Sequence, residues 1–217
     1  MLKVKKSQLR RQLLETRKNF TDYSFANENT KILQKTQSLL AVLLEQLQQK
    51  ISVNNTPSNK EKLKLINHVE IIDQYFALGL YYPLKYEPDL FKLTFSKDWC
   101  CGLPKIATEG NMQLIYYYPG APLENSIGSE LMQPKGGTEI IPKVLVVPGI
   151  AFSLEGYRLG FGRGYYDRYI AKMKKTQNLI TIGVCFDQFL LEKFPFEIHD
   201  VKFDYIITEQ TILKIRI

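Results

Sequence analysis

Histidine is nearly absent from this chain of 217 residues: there are two, His68 and His199. Their wide separation in sequence weighs against a histidine-rich metal centre or a Ser-His hydrolase. The three cysteines, adjacent Cys100 and Cys101 and distant Cys185, make neither a disulfide framework nor a CxxC metal site. They read as buried hydrophobes. No stretch approaches the ~20 apolar residues of a transmembrane helix, and the lysine-rich start lacks the apolar run of a signal peptide. No membrane is expected as a partner, and a cytoplasmic location is. Internal repeats and polar low-complexity tracts are missing. So is the P-loop, GxxxxGK followed by Ser or Thr.

What remains is the composition of a folded domain, 45% hydrophobic and 24% charged, in a length that can bury a sizeable core. One domain spanning 1–217, able to fold alone and to act as a monomer, is the economical expectation. The formal charge of +7 favours anionic partners, from nucleic acid to small phosphorylated ligands, and equally describes a solvated basic surface.

Residues 1–50 carry leucines at helical spacing in two segments, Leu2 to Leu14 and Ile32 to Leu47, with Thr21 near a cap between them. The run NNTPSN at 54–59 signals a loop, and Lys60 to Lys64 an exposed turn, so about 54–70 reads as an insertion. Tyr75 to Pro83 and Cys101 to Ile106 have strand character, with a helix predicted over Asp89 to Phe95 between them. KVLVVP at 143–148 is a continuous β-branched run. A glycine-rich loop, a helix from Tyr165 to Lys175 and a buried strand over 179–186 follow, then a final strand over 205–208. Strand, helix, strand implies an α/β fold with a mostly parallel sheet covered by helices.

The loop RLGFGRGYYDR at 158–168 lies between a buried strand and a helix, with glycine at every second position. Gly160, Gly162 and Gly164 free the backbone so that successive N–H groups line a concavity, to which the helix that follows adds its own donors and dipole. Arg158 and Arg163 surround it with charge, and Asp167 stands in the first helical turn, within reach of a Mg²⁺ shared with phosphates. The dinucleotide fingerprint GxGxxG fails because Tyr165 replaces its third glycine. The residues alone leave open an anion site or a tight packing turn.

PGIAFSLEGYRLGFGRGYYDRY resembles the signature of the 5-formyltetrahydrofolate cyclo-ligase family, also called methenyltetrahydrofolate synthetase. YYPLKYEPD at 81–89, HDVKFDYIITE at 199–209 and the pair Lys6 and Arg10 extend the likeness in the same order. The resemblance implies a three-layer α/β/α fold of the CoA-transferase and ribose-phosphate-isomerase kind. It also implies ATP- and Mg²⁺-dependent conversion of 5-formyltetrahydrofolate to 5,10-methenyltetrahydrofolate. Lys6, Arg10, Arg158, Gly160, Phe161, Gly162, Arg163, Gly164, Tyr165, Tyr166 and Asp167 would bind ATP. Tyr82, Glu87, Arg163, Gly164, Tyr165 and Tyr166 would bind the folate, with Glu87 on the pterin. Arg158, Arg163 and Tyr166 would be catalytic, and Asp167 and Asp200 would hold Mg²⁺. Arg17 shares the helical stripe of Lys6 and Arg10.

Ser153, Gln133 and Phe189 stand where the family commonly has Asp, Glu and Gln, which is expected to alter parts of the pocket. Those departures keep a non-catalytic nucleotide or folate sensor as an alternative. Basic charge and 12% aromatic content would suit a nucleic-acid binder, but no nucleic-acid motif accompanies them and none is expected as a partner.

Overall fold

The computed structural model describes residues 2–18, 22–54, 76–107, 111–126 and 131–215. The two leucine-periodic segments are α1 (Leu2–Lys18) and α2 (Asp22–Asn54). After them come β1 (Phe76–Gly79), β2 (Trp99–Ile106), β3 (Met112–Tyr116), β4 (Leu123–Asn125) and β5 (Met132–Pro134). The chain continues through β6 (Val144–Pro148), β7 (Ala151–Ser153), β8 (Arg158–Leu159), α3 (Tyr165–Thr176) and β9 (Ile180–Val184). It ends with β10 (Leu190–Leu191), β11 (Tyr205–Ile207) and β12 (Ile212–Lys214). Thr21, the 55–70 part of the expected insertion and the Lys60 to Lys64 turn lie outside the described residues.

Seven strands form the main sheet in the order β12-β11-β9-β6-β1-β2-β3. The pairings from β11 through β9, β6 and β1 to β2 are parallel, and only the edge strands β3 and β12 run antiparallel. The fold is therefore mixed α/β around a mostly parallel sheet, as the strand-helix-strand pattern implies. Every residue of β6 is buried, because a parallel strand covered on both faces has no side left for polar residues. Its β-branched run is the chemical consequence.

Two elements differ from expectation. The Tyr75 to Pro83 run leaves the ladder early: β1 ends at Gly79, Leu80 N–H still donates to Gly102 O at 2.8 Å, and the following tyrosines turn toward a cavity instead. The helix expected over Asp89 to Phe95 is a single 3₁₀ turn, Phe91–Phe95. An Asx turn precedes it, with Asp89 Oδ1 accepting the Phe91 N–H at 2.8 Å, and the chain leaves the turn in extended conformation at Ser96.

From β1 the chain moves to β2 on one side of the sheet. From β6 it moves to β9 and β11 on the other. The direction of winding thus reverses between the paired neighbours β1 and β6, and the crevice beyond their carboxyl ends is where open α/β sheets take ligands. The segment after β1 carries Glu87, and the segment after β6 leads through the small sheet β10-β7-β8 to the glycine loop. Among the described residues no helix is long and apolar enough to cross a membrane.

Candidate active site

A cavity of about 730 Å³ opens at this crevice. Lys6, Arg10, Tyr82, Glu87, Arg158, Gly160, Phe161, Gly162, Arg163, Gly164, Tyr165, Tyr166, Asp167 and Asp200 all line it. Every site residue expected from the sequence therefore borders one space, although they come from α1, β8, three separate loops and α3.

The glycine loop forms the floor. Gly162 has φ +97° and Gly164 φ +67°, the left-handed region that glycine enters without strain. Gly164 is the N-cap of α3, so the loop delivers the chain directly into a helix whose first N–H groups are unsatisfied by helical bonds. Arg10 Nε donates to Gly160 O at 2.7 Å and fixes the loop against α1. A methyl group at Gly162 meets only the Arg10 guanidinium, nearest atoms at 3.6 Å, so space is available and the backbone angle is the obstacle. Gly162→Ala is expected to cost roughly 1–2 kcal/mol, on the order of 2–4 °C in Tm per kcal/mol at this chain length. Scanning calorimetry checks it, and an unchanged Tm would show that the loop relaxes freely.

Glu87 is buried, 3% exposed, with Oε2 accepting the Leu84 N–H at 3.0 Å. Burial raises its pKa, while the Leu84 N–H and the guanidiniums of Arg17 and Arg158 pull it back down. Its turn places Tyr86 at φ +68°, an unusual conformation for a residue with a bulky side chain. Tyr82 is backed by Phe91 at 5.2 Å, itself 5.4 Å from Tyr117, so an aromatic wall stands beside the carboxylate.

Arg158 sits opposite. Its Nε donates to Pro148 O at 2.7 Å, its guanidinium lies 4.9 Å over the Tyr166 ring, and its Nη1 is 3.9 Å from Asp167 Oδ2. Burial drives the Tyr166 phenol well up, partly offset by Arg158. Tyr166 is thus a neutral hydrogen-bond donor at physiological pH. Arg168 folds back at the helix start, donating to Arg163 O at 3.0 Å and covering the Tyr165 ring at 5.5 Å.

The C-terminal wall is acidic. Lys6, 4% exposed, donates to Asp200 Oδ2 and lies 3.5 Å from Glu197 Oε2. Glu197, His199 and Asp200 bring their ligand atoms within 4.8 Å of one another; the Lys6 ammonium pairs with the two carboxylates and His199 Nε2 lies 3.6 Å from Glu197 Oε2. Tyr157 stacks on Phe196 at 3.9 Å and steadies this segment.

The model of the 5-formyltetrahydrofolate cyclo-ligase family matches residues 2–209. The chain belongs to that family. It is 30% identical to the mouse 5-formyltetrahydrofolate cyclo-ligase over 125 residues, 57% of this chain and 54% of the mouse protein. With the Escherichia coli K12 cyclo-ligase it shares 31% over 110 residues, 48% of this chain and 58% of that one. The chain thus spans somewhat over half the length of these two curated relatives. The NMR structure of the Aquifex aeolicus 5,10-methenyltetrahydrofolate synthetase superposes with a TM-score of 0.69 at 25% identity, covering 97% of this chain and 93% of that one.

Within the cyclo-ligase fold, Ser153, Gln133 and Phe189 are not among the residues that line the cavity, so any effect they have on it passes through their neighbours. Ser153 is buried and its Oγ accepts the Tyr157 N–H at 3.2 Å. Gln133 accepts the Ile106 N–H at 3.1 Å. Phe189 lies under the Arg17 guanidinium, 4.8 Å from ring centre to Cζ. Arg17, placed by helical spacing on the same stripe as Lys6 and Arg10, turns to the interior and is not among the lining residues.

Sequence reasoning missed Glu197, which shares Lys6 with Asp200. Its signal was its place three residues before Asp200. Tyr81 and Leu84, which belong to the YYPLKYEPD motif but were given no role, also line the cavity, as do Met112 and Leu131, apolar residues that carried no sequence signal.

Proposed function

We propose that the protein is an ATP-dependent 5-formyltetrahydrofolate cyclo-ligase acting as a monomer on two small-molecule substrates. The observation that carries this is one cavity at the switch point lined both by the glycine loop with the start of α3 and by a buried carboxylate with aromatic side chains. A pocket of several hundred Å³ with few convergent polar groups suits two such ligands.

In this reading the triphosphate lies against the loop N–H groups and the start of α3, with Lys6, Arg10 and Arg163 supplying charge. The pterin packs on Tyr82, and Glu87 accepts its paired N–H donors. The formyl oxygen attacks the γ-phosphorus and the bond to the β,γ-bridging oxygen breaks, releasing ADP. N10 then attacks the phosphorylated formyl carbon, loses its proton and expels inorganic phosphate, which leaves the methenyl bridge. Arg158 and the neutral phenol of Tyr166 stabilise charge that builds on the transferring group, and positioning supplies the rest.

Asp167 and Asp200 both border the cavity and offer the hard carboxylate oxygens that Mg²⁺ takes. Each already faces a cation, Arg158 and Lys6 respectively, with which the ion would share the carboxylate. They would hold the ion, which supplies neutralisation of phosphate charge.

The test is absorbance of the methenyl product when purified protein meets 5-formyltetrahydrofolate, ATP and Mg²⁺. Turnover is expected to require all three and to collapse in Asp167→Asn. Folded protein that binds ATP without turnover would instead favour the sensor.

A further inference from the structure

We infer that Gln133 is a positioning residue for the folate side of the cavity: its amide caps the open edge of β2 and holds Pro104, Ile106 and Leu131 as one wall. The effect on turnover rests on the cyclo-ligase reading, whereas the effect on the wall does not.

β1 has four residues and β2 eight, and their pairing stops at Gly79 and Gly102, with one further bond from Leu80 N–H to Gly102 O. The rest of β2 keeps its ladder with β3 and turns its other edge to the crevice. Backbone groups alternate sides along an antiparallel pair, so Ala107, whose N–H donates to Asn111 O on the β3 side, leaves positions 104 and 106 facing the edge that β1 has vacated. Position 104 is a proline and has no N–H there. The Ile106 N–H finds Gln133 Oε1 at 3.1 Å. An edge so settled needs no water, and Pro104 and Ile106 border the cavity beside Leu131, which enters β5 two residues before Gln133.

The other end of the side chain explains why it is an amide. Gln133 is 5% exposed, and its Nε2 faces Glu124 Oε1 at 3.5 Å, across the β4-β5 pair in which these two residues are partners. That same oxygen accepts Lys105 Nζ at 2.9 Å, and the ammonium also donates to Pro134 O at 2.9 Å and Lys135 O at 2.7 Å. All three of its N–H groups are then engaged. A carboxylate at 133 would meet Glu124 as like charge against like, with no lysine donor left to separate them. An apolar residue would strip the Ile106 N–H of its acceptor. An amide, acceptor at one end and donor at the other, serves both.

Lys105 from β2 and Lys135 from the chain after β5 are the cations that act on Glu124, and the bond from Lys105 holds its carboxyl below the usual range. Glu139, bridged to Ile115 of β3, accepts Gln113 Nε2 at 2.9 Å. Strand order puts β2 and β3 beyond β1 from β6. Glu87 follows β1 and the glycine loop follows β6, so in the reading above the wall borders the folate.

The experiment measures hydrogen exchange at the Ile106 amide by ¹⁵N NMR of the full chain, in wild type, Gln133→Leu, Gln133→Glu and the exchanged pair Gln133→Glu with Glu124→Gln. Exchange is expected to quicken about tenfold in Gln133→Leu, the scale of one lost hydrogen bond, and to keep the wild-type rate in the exchanged pair. In steady-state assays the KM for 5-formyltetrahydrofolate rises about tenfold in Gln133→Leu, and the KM for ATP stays put. In Gln133→Glu the folate KM is raised at neutral and alkaline pH and returns toward wild type in acid, where one of the two facing carboxyls takes a proton and donates as the amide does. The exchanged pair restores it at neutral pH. An Ile106 rate unmoved in Gln133→Leu overturns the inference, and so does a quickened rate with an unmoved folate KM. Should Gln133→Leu not fold, a raised folate KM in Gln133→Glu that the exchanged pair restores supports it, and any other pattern overturns it. Absence of wild-type turnover would defeat the functional reading alone, because amide exchange in the same variants needs no substrate.

Discussion

Glu87→Gln is expected to cut kcat/KM for 5-formyltetrahydrofolate by on the order of 10²–10⁴, with the KM for ATP close to wild type. The two charge-assisted hydrogen bonds proposed to the pterin, at about 1.5–3 kcal/mol each, set that range. Glutamine has the same shape but presents one acceptor and one donor, so one pairing becomes donor against donor. The buried position makes the loss severe, because water is not at hand to satisfy the mismatched group. Initial rates with each substrate varied in turn provide the check. A folate KM that does not move would remove Glu87 from folate recognition.

Arg158→Lys is the second large effect, an expected loss of about 10²–10³ in kcat with ATP binding retained. This is the usual scale for removing one preorganised donor from a developing charge. Lysine keeps the charge yet forfeits what the structure gives the guanidinium: the bond to Pro148 O and the planar packing on Tyr166. A flexible ammonium is not held in the same place. Calorimetric titration of ATP alongside single-turnover rates separates the two contributions. If ATP affinity falls as far as the rate does, Arg158 serves binding and not the transition state.

Sequence periodicity made the central elements legible because their chemistry is uniform. KVLVVP reads as a buried strand for the reason that it is one, and the leucine spacing of α1 and α2 reports a helix face against the core. The edges were not legible. β3 and β12 gain their strand character by pairing with β2 and β11, and the two residues of β8 do so by pairing with β7. That information lies in the partner. The site was legible wherever chemistry and family likeness coincided, as at the glycine loop and Glu87. Arg17 was not, since helical spacing can place it beside Lys6 but cannot show that Gly149 and Ile150 wait for it.

The tie between Lys6 and Asp200 joins residues 194 positions apart, and that between Arg10 and Gly160 spans 150. Contacts across such separations are slow to form, because the chain must surrender loop entropy before they reward it. We therefore expect recovery of catalysis during refolding to trail the return of helical circular dichroism. Activity would then be a clock for the last joining of its two ends, not for the building of its sheet.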